Sequence, residues 1–377
     1  MKLNRRKAMS LCAGVAAGTL ISRPKASAAQ APGSLVDPDQ LPVREASWYK
    51  KLEHLKVECG LCPQACVVAD AERGTCGVRE NRAGKYVTLV HGSVCSVHVD
   101  PIEKKPFFHV LPGESALSFA TAGCNVECKF CQNWEISQFR PEQVRSWYIP
   151  PDELTRLAKR NGAKLTAATY SEPTVFWEYV RDAAVAARKA GLRPVVVSNG
   201  YIQAKPLREV LPLLEAYKVD LKAMTEEFYR RYVRGRLKPV LETLEIIRSS
   251  GTWLEIVVLL IPGLNDSQAE VKRLSKWVKT NLGPEVPLHF TRFHPTYLMK
   301  DLPPTPVSTI ERSRDIALAE GLHFVYAGNL PGHPGENTFC PSCRELLIRR
   351  VGFTIVENRL QGGACPACKK AIPGVWS

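Results

Sequence analysis

Cys124, Cys128 and Cys131 stand in a C-x3-C-x2-C spacing inside the run Ala120-Thr121-Ala122-Gly123-Cys124-Asn125-Val126-Glu127-Cys128-Lys129-Phe130-Cys131-Gln132-Asn133. Three thiolates on one short loop can bind three irons of a [4Fe-4S] cubane and leave the fourth iron open, whereas electron-transfer clusters normally take four cysteines. An open iron can chelate a small molecule, so the spacing reads as catalytic. A zinc site short of one ligand, or a redox thiol pair, would use the same residue types. The strand-like run before Cys124 and the aromatic Phe130 favour the cluster.

Two further cysteine groups flank this loop. Cys340-Pro-Ser-Cys343 and Cys365-Pro-Ala-Cys368 are paired C-x2-C knuckles on either side of a hairpin-like stretch, Leu346 to Glu357. Four thiolates at that spacing make a closed tetrahedral zinc site able to stabilise a small module, with a rubredoxin-like iron site as the minority reading. Cys59, Cys62 and Cys66, followed by Cys76, form another four-cysteine set on a loop-rich segment. Its spacing does not separate an auxiliary iron–sulfur cluster from zinc, and a disulfide is a third option if the chain is exported. Cys95 stands apart and reads as a small buried apolar residue.

Polar residues also fall at the ends of apolar runs. Glu172, in Tyr170-Ser171-Glu172-Pro173, can receive an ammonium group, although a plain helix start explains it equally well on its own. Ser198 and Asn199, before Gly200, offer hydroxyl and amide groups to a ribose or carboxylate, or simply make a turn. Asp220 and Lys222 are two apart on a strand and so share one face. A buried pair of opposite charges is costly without a role or further partners. His294 follows a sixth apolar run, where an imidazole can meet a base or serve as a structural residue.

The elements that would position these groups alternate in type. Ala116 to Ala120, Leu165 to Tyr170, Pro194 to Ser198, Lys218 to Leu221, Leu254 to Ile261 and Leu288 to Phe293 read as buried parallel strands. Helix candidates lie between them, such as Thr174 to Ala190 closed by Gly191, and Ser267 to Leu282 capped by Ser267. A seventh run, His323 to Tyr326, would add an edge strand. The fold class expected is α/β: a partial (β/α)6 TIM-like barrel with a Cys-rich N-terminal segment and a C-terminal zinc-ribbon-like module. In such barrels chemistry collects at the C-terminal strand ends, where the βα loops converge.

The 377 residues divide into a leader over 1–29, a linker over 30–51 with a Pro-rich start and a helical pattern after it, a Cys-rich segment over 52–112, the barrel over 113–335 and the small module over 336–377. The leader has twin-arginine form: Asn4-Arg5-Arg6-Lys7, a weakly apolar run from Ala8 to Ile21, and the small-residue site Ala26-Ser27-Ala28. It carries six Lys and Arg and no acid, so the net charge of +14 falls to +8 beyond it. No basic block remains there, which disfavours nucleic acid as a partner.

With these motifs in place the chain resembles the radical S-adenosylmethionine (SAM) enzymes of the AmmeMemoRadiSam system, themselves similar to pyruvate formate-lyase activating enzymes. The resemblance runs from about Ser47 to Trp376. It is most specific at Asp100-Pro-Ile-Glu-Lys-Lys-Pro106, at Thr121 to Asn125 and Cys131 to Ser137, at Glu255 to Asp266, and at Ile372-Pro-Gly-Val-Trp376. It departs at Tyr170-Ser171, where such enzymes usually carry two glycines. It implies a radical SAM barrel whose [4Fe-4S] cluster and SAM meet at Cys124, Cys128 and Cys131. It further implies that Phe130 and Gln132 border SAM, that Ser171 and Glu172 meet its methionyl part, that Asp220 to Lys222 contact it, and that His294 lies by the nucleoside. The partners implied are a low-potential electron donor, a protein or small-molecule substrate, and Memo-like and AMMECR-like proteins.

Two other function classes use the same residues: an exported iron–sulfur electron carrier, and a zinc or iron–sulfur protein that binds partners without catalysis. Localisation is pulled two ways, since the leader points to the periplasm while SAM and low-potential electrons belong to the cytoplasm.

Overall fold

Apolar runs without polar alternation fold as strands covered on both faces, and the computed structural model, which describes residues 33–377, builds its central sheet from them. The leader read at 1–29 lies outside the described residues. Eight strands make the sheet: β1 (Ser96–Pro101), β2 (Ser115–Ala120), β3 (Leu165–Ala168), β4 (Arg193–Ser198), β5 (Ala216–Asp220), β6 (Trp253–Leu260), β7 (Leu288–Arg292) and β8 (Val325–Gly328). They are hydrogen-bonded in that spatial order. β2 to β8 are parallel, and β1 runs antiparallel to β2 with Ala116 opposite Asp100. No ladder joins β1 to β8 among the described residues, so the sheet is open.

Each parallel crossover carries a helix, as right-handed βαβ connections require. In chain order these are α1 (Pro151–Arg160), α2 (Trp177–Lys189), α3 (Ala204–Val210), α4 (Leu237–Ser250), α5 (Gln268–Leu282) and α6 (Val307–Ala319). Ser267 caps α5, its hydroxyl accepting from the Glu270 N–H at 3.2 Å. α2 begins three residues later than the pattern predicts, because Pro173–Phe176 is a 3-10 turn opened by the Glu172 side chain. None of the described helices is long and apolar enough to cross a membrane.

Residues 33–51 differ from the linker with a helical pattern expected over 30–51. Ser34–Leu35, Arg44–Glu45 and Tyr49–Lys51 are short strands, paired with Trp147–Tyr148, Lys85–Thr88 and Val57–Cys59 respectively. The reason is burial: Trp48 is covered, and its indole N–H donates to Glu209 on the α3 side at 2.7 Å. The antiparallel edge strand β1 is also an addition to the six or seven strands expected.

The C-terminal module forms the expected hairpin, Leu346–Val351 with Thr354–Asn358. It shares its core with the sheet rather than standing alone, because Phe108, Phe324 and Tyr326 pack with Cys340, Leu347, Ile348 and Cys365. Arg350, 2% exposed, donates to the Phe108 carbonyl at 2.8 Å and lies over its ring. Beneath the sheet, Glu255 accepts from the Phe108 and His109 backbone N–H groups and from His289, closing the end away from the cysteine loop.

Candidate active site

The Cys124 loop leaves β2 through Gly123, whose φ of +97° a side chain would strain. The loop is then clamped by a single wide turn over Tyr229–Val233, with the Glu127 N–H donating to the Val233 carbonyl at 2.8 Å and the Lys129 N–H to Tyr232 at 2.9 Å. Such wide turns recur at functional sites. The turn also supplies Tyr229, whose hydroxyl accepts from the Lys222 N–H at 3.1 Å. Phe130 is buried against Phe228.

Glu172 bears on Cys124, while Lys222, Cys131 and Asp220 bear on Cys128, so the strand ends and the thiols form one neighbourhood. Burial pushes the Cys128 thiol up to about 12 and raises Cys124 well above the usual thiol range. Only a strongly bound cation would draw the protons off such thiols. Among the described residues, the cysteines that gather three or more ligand atoms within 4.8 Å are the C-terminal four alone. The three central sulfurs do not gather in this way, so they are not closed on one another as ligands of a single ion are. The residues fit a three-cysteine cluster.

Glu172 is 2% exposed and its carboxylate accepts four hydrogen bonds. It accepts from Thr174 N–H (3.0 Å), the Thr174 hydroxyl (2.7 Å), the Ser198 hydroxyl (2.7 Å) and Asn199 N–H (2.8 Å). Burial raises its pKa against these four donors. Three of these donors converge on Oε1 and only Asn199 N–H reaches Oε2, so Glu172 fastens the ends of β3 and β4 together and keeps an acceptor position on Oε2 for an ammonium. The Asn199 side-chain amide in turn donates to Asn125 at 2.9 Å and approaches Cys124 Sγ at 3.9 Å. Ser171 donates to the Thr121 carbonyl at 2.7 Å, tying β3 to the cysteine loop.

Asp220 lies between Lys218 and Lys222, bonded to both. Burial works against its charge, but the two lysines hold its carboxyl down at about 2. Burial would likewise lower Lys222, yet Asp220 and the Cys128 thiol outweigh it and the ammonium sits above its ordinary range. The pair expected from sequence is thus part of a triad in which Lys218 is buried and Asp220 and Lys222 are half-buried, with Lys218 at the next alternate position of the same face. Gln132 and His294 are exposed and lie outside this network.

Further groups come from segments the sequence did not connect. Tyr170, at φ +67°, donates to Asp100 at 2.6 Å; Lys105 reaches both Asp100 (2.6 Å) and the Tyr170 hydroxyl (3.0 Å). Asn133 holds the Tyr170 carbonyl at 2.7 Å. A cavity of about 920 Å³ opens beside Cys124, lined also by Arg73, Cys76, Asn125, Arg140 and Tyr297. Its size suits a cofactor or a peptide segment.

The outer cysteines divide. In the C-terminal four, Cys340 and Cys368 sulfurs are 3.5 Å apart and Cys343 and Cys365 3.6 Å, close to the ~3.8 Å of a tetrahedral site with ~2.3 Å metal–sulfur bonds. These four can hold a metal. Cys59, Cys62, Cys66 and Cys76 line a smaller cavity of their own with Arg79 and Tyr86. All twelve described cysteines are free thiols, so no disulfide links them. Cys95 is half-buried, its thiol directed at the Ala120 carbonyl at 3.5 Å.

A parallel α/β sheet with a three-cysteine loop after its first parallel strand defines a class, and the family model described as the Radical SAM superfamily matches residues 119–274. The chain belongs to that superfamily and is a radical SAM enzyme. It belongs, more narrowly, with an uncharacterized protein of Methanocaldococcus jannaschii, 42% identical over 332 residues that span 88% of this chain and 99% of that one. It is also similar to the (2S)-3-sulfopropanediol dehydratase activating enzyme of Klebsiella oxytoca, 23% identical over 128 residues, 34% of this chain and 40% of that one. Among solved structures, a radical SAM methyltransferase from Sphaerobacter thermophilus aligns with 79% of this chain and 81% of its own, at 14% identity and a TM-score of 0.46.

Proposed function

We propose that this enzyme binds a [4Fe-4S] cluster through Cys124, Cys128 and Cys131 and uses it to cleave SAM reductively, so that the resulting nucleoside radical abstracts hydrogen from a protein substrate. One observation carries the reading: three thiols on one loop, Cys128 buried and Cys124 and Cys131 half-buried, adjoin a basin of strand-end polar groups built from Glu172, Asn199, Asp220 and Lys222. When bound, the cluster would supply a site for the methionyl group of SAM and the electron that breaks its sulfonium C–S bond.

The chain's own residues do the positioning. Lys222 is kept charged beside Cys128 by Asp220 and so favours negative charge at the sulfurs and at a carboxylate brought to them. Ser198 and Asn199 hold the floor between the third and fourth strand ends, and Glu172 presents buried negative charge to an ammonium. Phe130, packed on Phe228, helps exclude water on the far side of the loop. Hydrogen-atom abstraction needs no general acid or base, and none is assigned.

A protein substrate is favoured because two similar proteins are activating enzymes, those of (2S)-3-sulfopropanediol dehydratase and benzylsuccinate synthase, and because the large cavity opens at the Cys124 loop. An activating role toward a glycyl-radical enzyme is the specific form of that reading. The resemblance seen in sequence makes Memo-like and AMMECR-like proteins the partners to test first. The C-terminal four cysteines are read as a zinc site, from their sulfur spacing. Anaerobic reconstitution followed by dithionite and SAM should yield 5′-deoxyadenosine; an intact cluster that gives none would overturn the proposal.

A further inference from the structure

We infer that Cys59, Cys62, Cys66 and Cys76 hold a second iron–sulfur cluster that relays single electrons to the Cys124 loop, an inference that rests on the cluster reading of that loop proposed above.

The four thiols come from two adjoining turns. Cys59 ends the strand Val57–Cys59, whose N–H donates to the Cys66 carbonyl at 2.9 Å, and Cys62 and Cys66 stand in the connection that returns to Val67–Val68. Cys76 lies on the Gly74–Gly77 turn, closed by a 2.9 Å bond from Gly77 N–H to the Gly74 carbonyl. All four line one cavity. Gly74 keeps it clear, since a Cβ there would lie 2.7 Å from the Tyr86 hydroxyl and 3.7 Å from Cys66 Sγ. Arg79, 1% exposed, sits beside Cys59 and Cys76 and is paired with the equally buried Glu178. A guanidinium so placed suits a cluster carrying net negative charge.

Spacing decides the kind of metal. Four thiolates on one zinc lie ~3.8 Å apart, and the C-terminal four show that this chain builds such a site where it needs one. The N-terminal four do not gather within 4.8 Å, and in this they match the central loop. A cluster, which interposes several irons between its ligands, accounts for both.

Position decides the role. Gln64, between Cys62 and Cys66, donates to the Asn125 carbonyl at 3.0 Å and to the Arg234 carbonyl at 3.1 Å, so the two cysteine loops are hydrogen-bonded to each other. A Cβ on Gly123 would lie 2.9 Å from the Cys76 carbonyl, which places the residue before Cys124 in contact with Cys76 itself. Asn125 lines the cavities of both sets. On the other side Ala65, Val67 and Thr75 are exposed, giving a donor an approach. A reduced low-potential one-electron carrier would lose one electron to the Cys59–Cys76 cluster. That electron moves to the cluster on the Cys124 loop and then breaks the sulfonium C–S bond of SAM into methionine and a carbon-centred nucleoside radical.

The full chain, reconstituted anaerobically, should contain about eight irons and about eight sulfides with about one zinc. The Cys124→Ala/Cys128→Ala/Cys131→Ala variant should keep about four of those irons, and Cys62→Ala/Cys66→Ala should lose about four. In the dithionite-reduced wild type the two paramagnetic signals should broaden each other, and each should sharpen when the other site is removed. Zinc instead of iron in the triple variant would overturn the inference, and two clusters without mutual broadening would overturn the relay. Iron retained by the triple variant while the wild type cleaves no SAM would support the second cluster and count against the proposed function alone.

Discussion

The C-terminal cysteines and the Cys124 loop put similar numbers of sulfurs into short stretches of chain and surround them differently. In the module the two knuckles repeat one backbone form. Cys340 and Cys365 N–H groups donate to Glu345 and Lys370 carbonyls, and Arg344 and Lys369 turn the chain at φ +64° and +61°. Each cysteine is positioned by its own turn, and the four sulfurs close on one another. Around Cys124 and Cys128 the neighbours are carboxylates, lysines and amides delivered by three different strand ends. A site satisfied by its own ligands is closed and structural, whereas one ringed by buried charge from across a sheet is built to receive something.

The sharpest way to break this contrast is to remove one sulfur from each side. Cys128→Ala should abolish 5′-deoxyadenosine formation while leaving the metal of the C-terminal site in place, as metal analysis and product assay on one preparation would show. Persistent product would refute the ligand assignment. Next in size is Glu172→Gln. Its new amide N–H groups would face donors that now need an acceptor, costing about 1–3 kcal/mol at the site. That corresponds to about a tenfold to hundredfold slower SAM cleavage with the iron content unchanged. An unaltered rate would show that the ties between β3 and β4 do not shape the SAM site.

Cys343→Ala tests the other side. Loss of the metal should lower the melting temperature by more than about 5 °C, with the surviving folded protein still able to cleave SAM. Because Phe108 and Tyr326 share the module's core, the destabilisation should reach the sheet and not just the hairpin. A variant that loses metal, keeps its melting temperature and loses turnover would reverse the roles assigned to the two regions.

How much of this could be read in advance follows from how local each signal is. The strands β2 to β7 are rich in apolar residues, with few polar residues such as Lys218 and Glu255 among them, and the cysteine spacings are contiguous, so both were legible. β1 escaped because Ser96–Pro101 interleaves His98 and Asp100 with valines, and its place is set by antiparallel pairing to β2 rather than by composition. Short strands at 34–51 form because Trp48 finds a pocket on a distant helix face, which no window of sequence contains. Lys218 could have been found, since Lys218, Asp220 and Lys222 alternate along the end of β5 and the residues just after it. Asp100, Lys105, Asn133 and the Tyr229–Val233 turn meet the site through contacts among separate segments, while Gln132, named by resemblance, and His294, named also by its place after the sixth apolar run, are exposed.

The smallest effect expected separates the two regions by what they respond to. Burial lowers the Lys105 ammonium to about 8 from its ordinary 10.5, with Asp100 opposing, while Lys104 and Lys218 add repulsion. Between those two values the unfolded chain holds the proton and the folded one does not, so the unfolded state binds more protons and stability rises with pH across that window. Below about 8 the cost of burying the charge is present in full, at most about 1–3 kcal/mol. Urea midpoints measured from pH 7 upward should therefore climb in the wild type and stay flat through the window in Lys105→Met, while the Cys343→Ala variant, whose defect is a missing metal, should keep the climb. A flat wild-type profile would mean that Lys105 is not held in the buried Asp100–Tyr170 pocket, and the charge-built character of the region beside the cysteine loop would lose one of its supports.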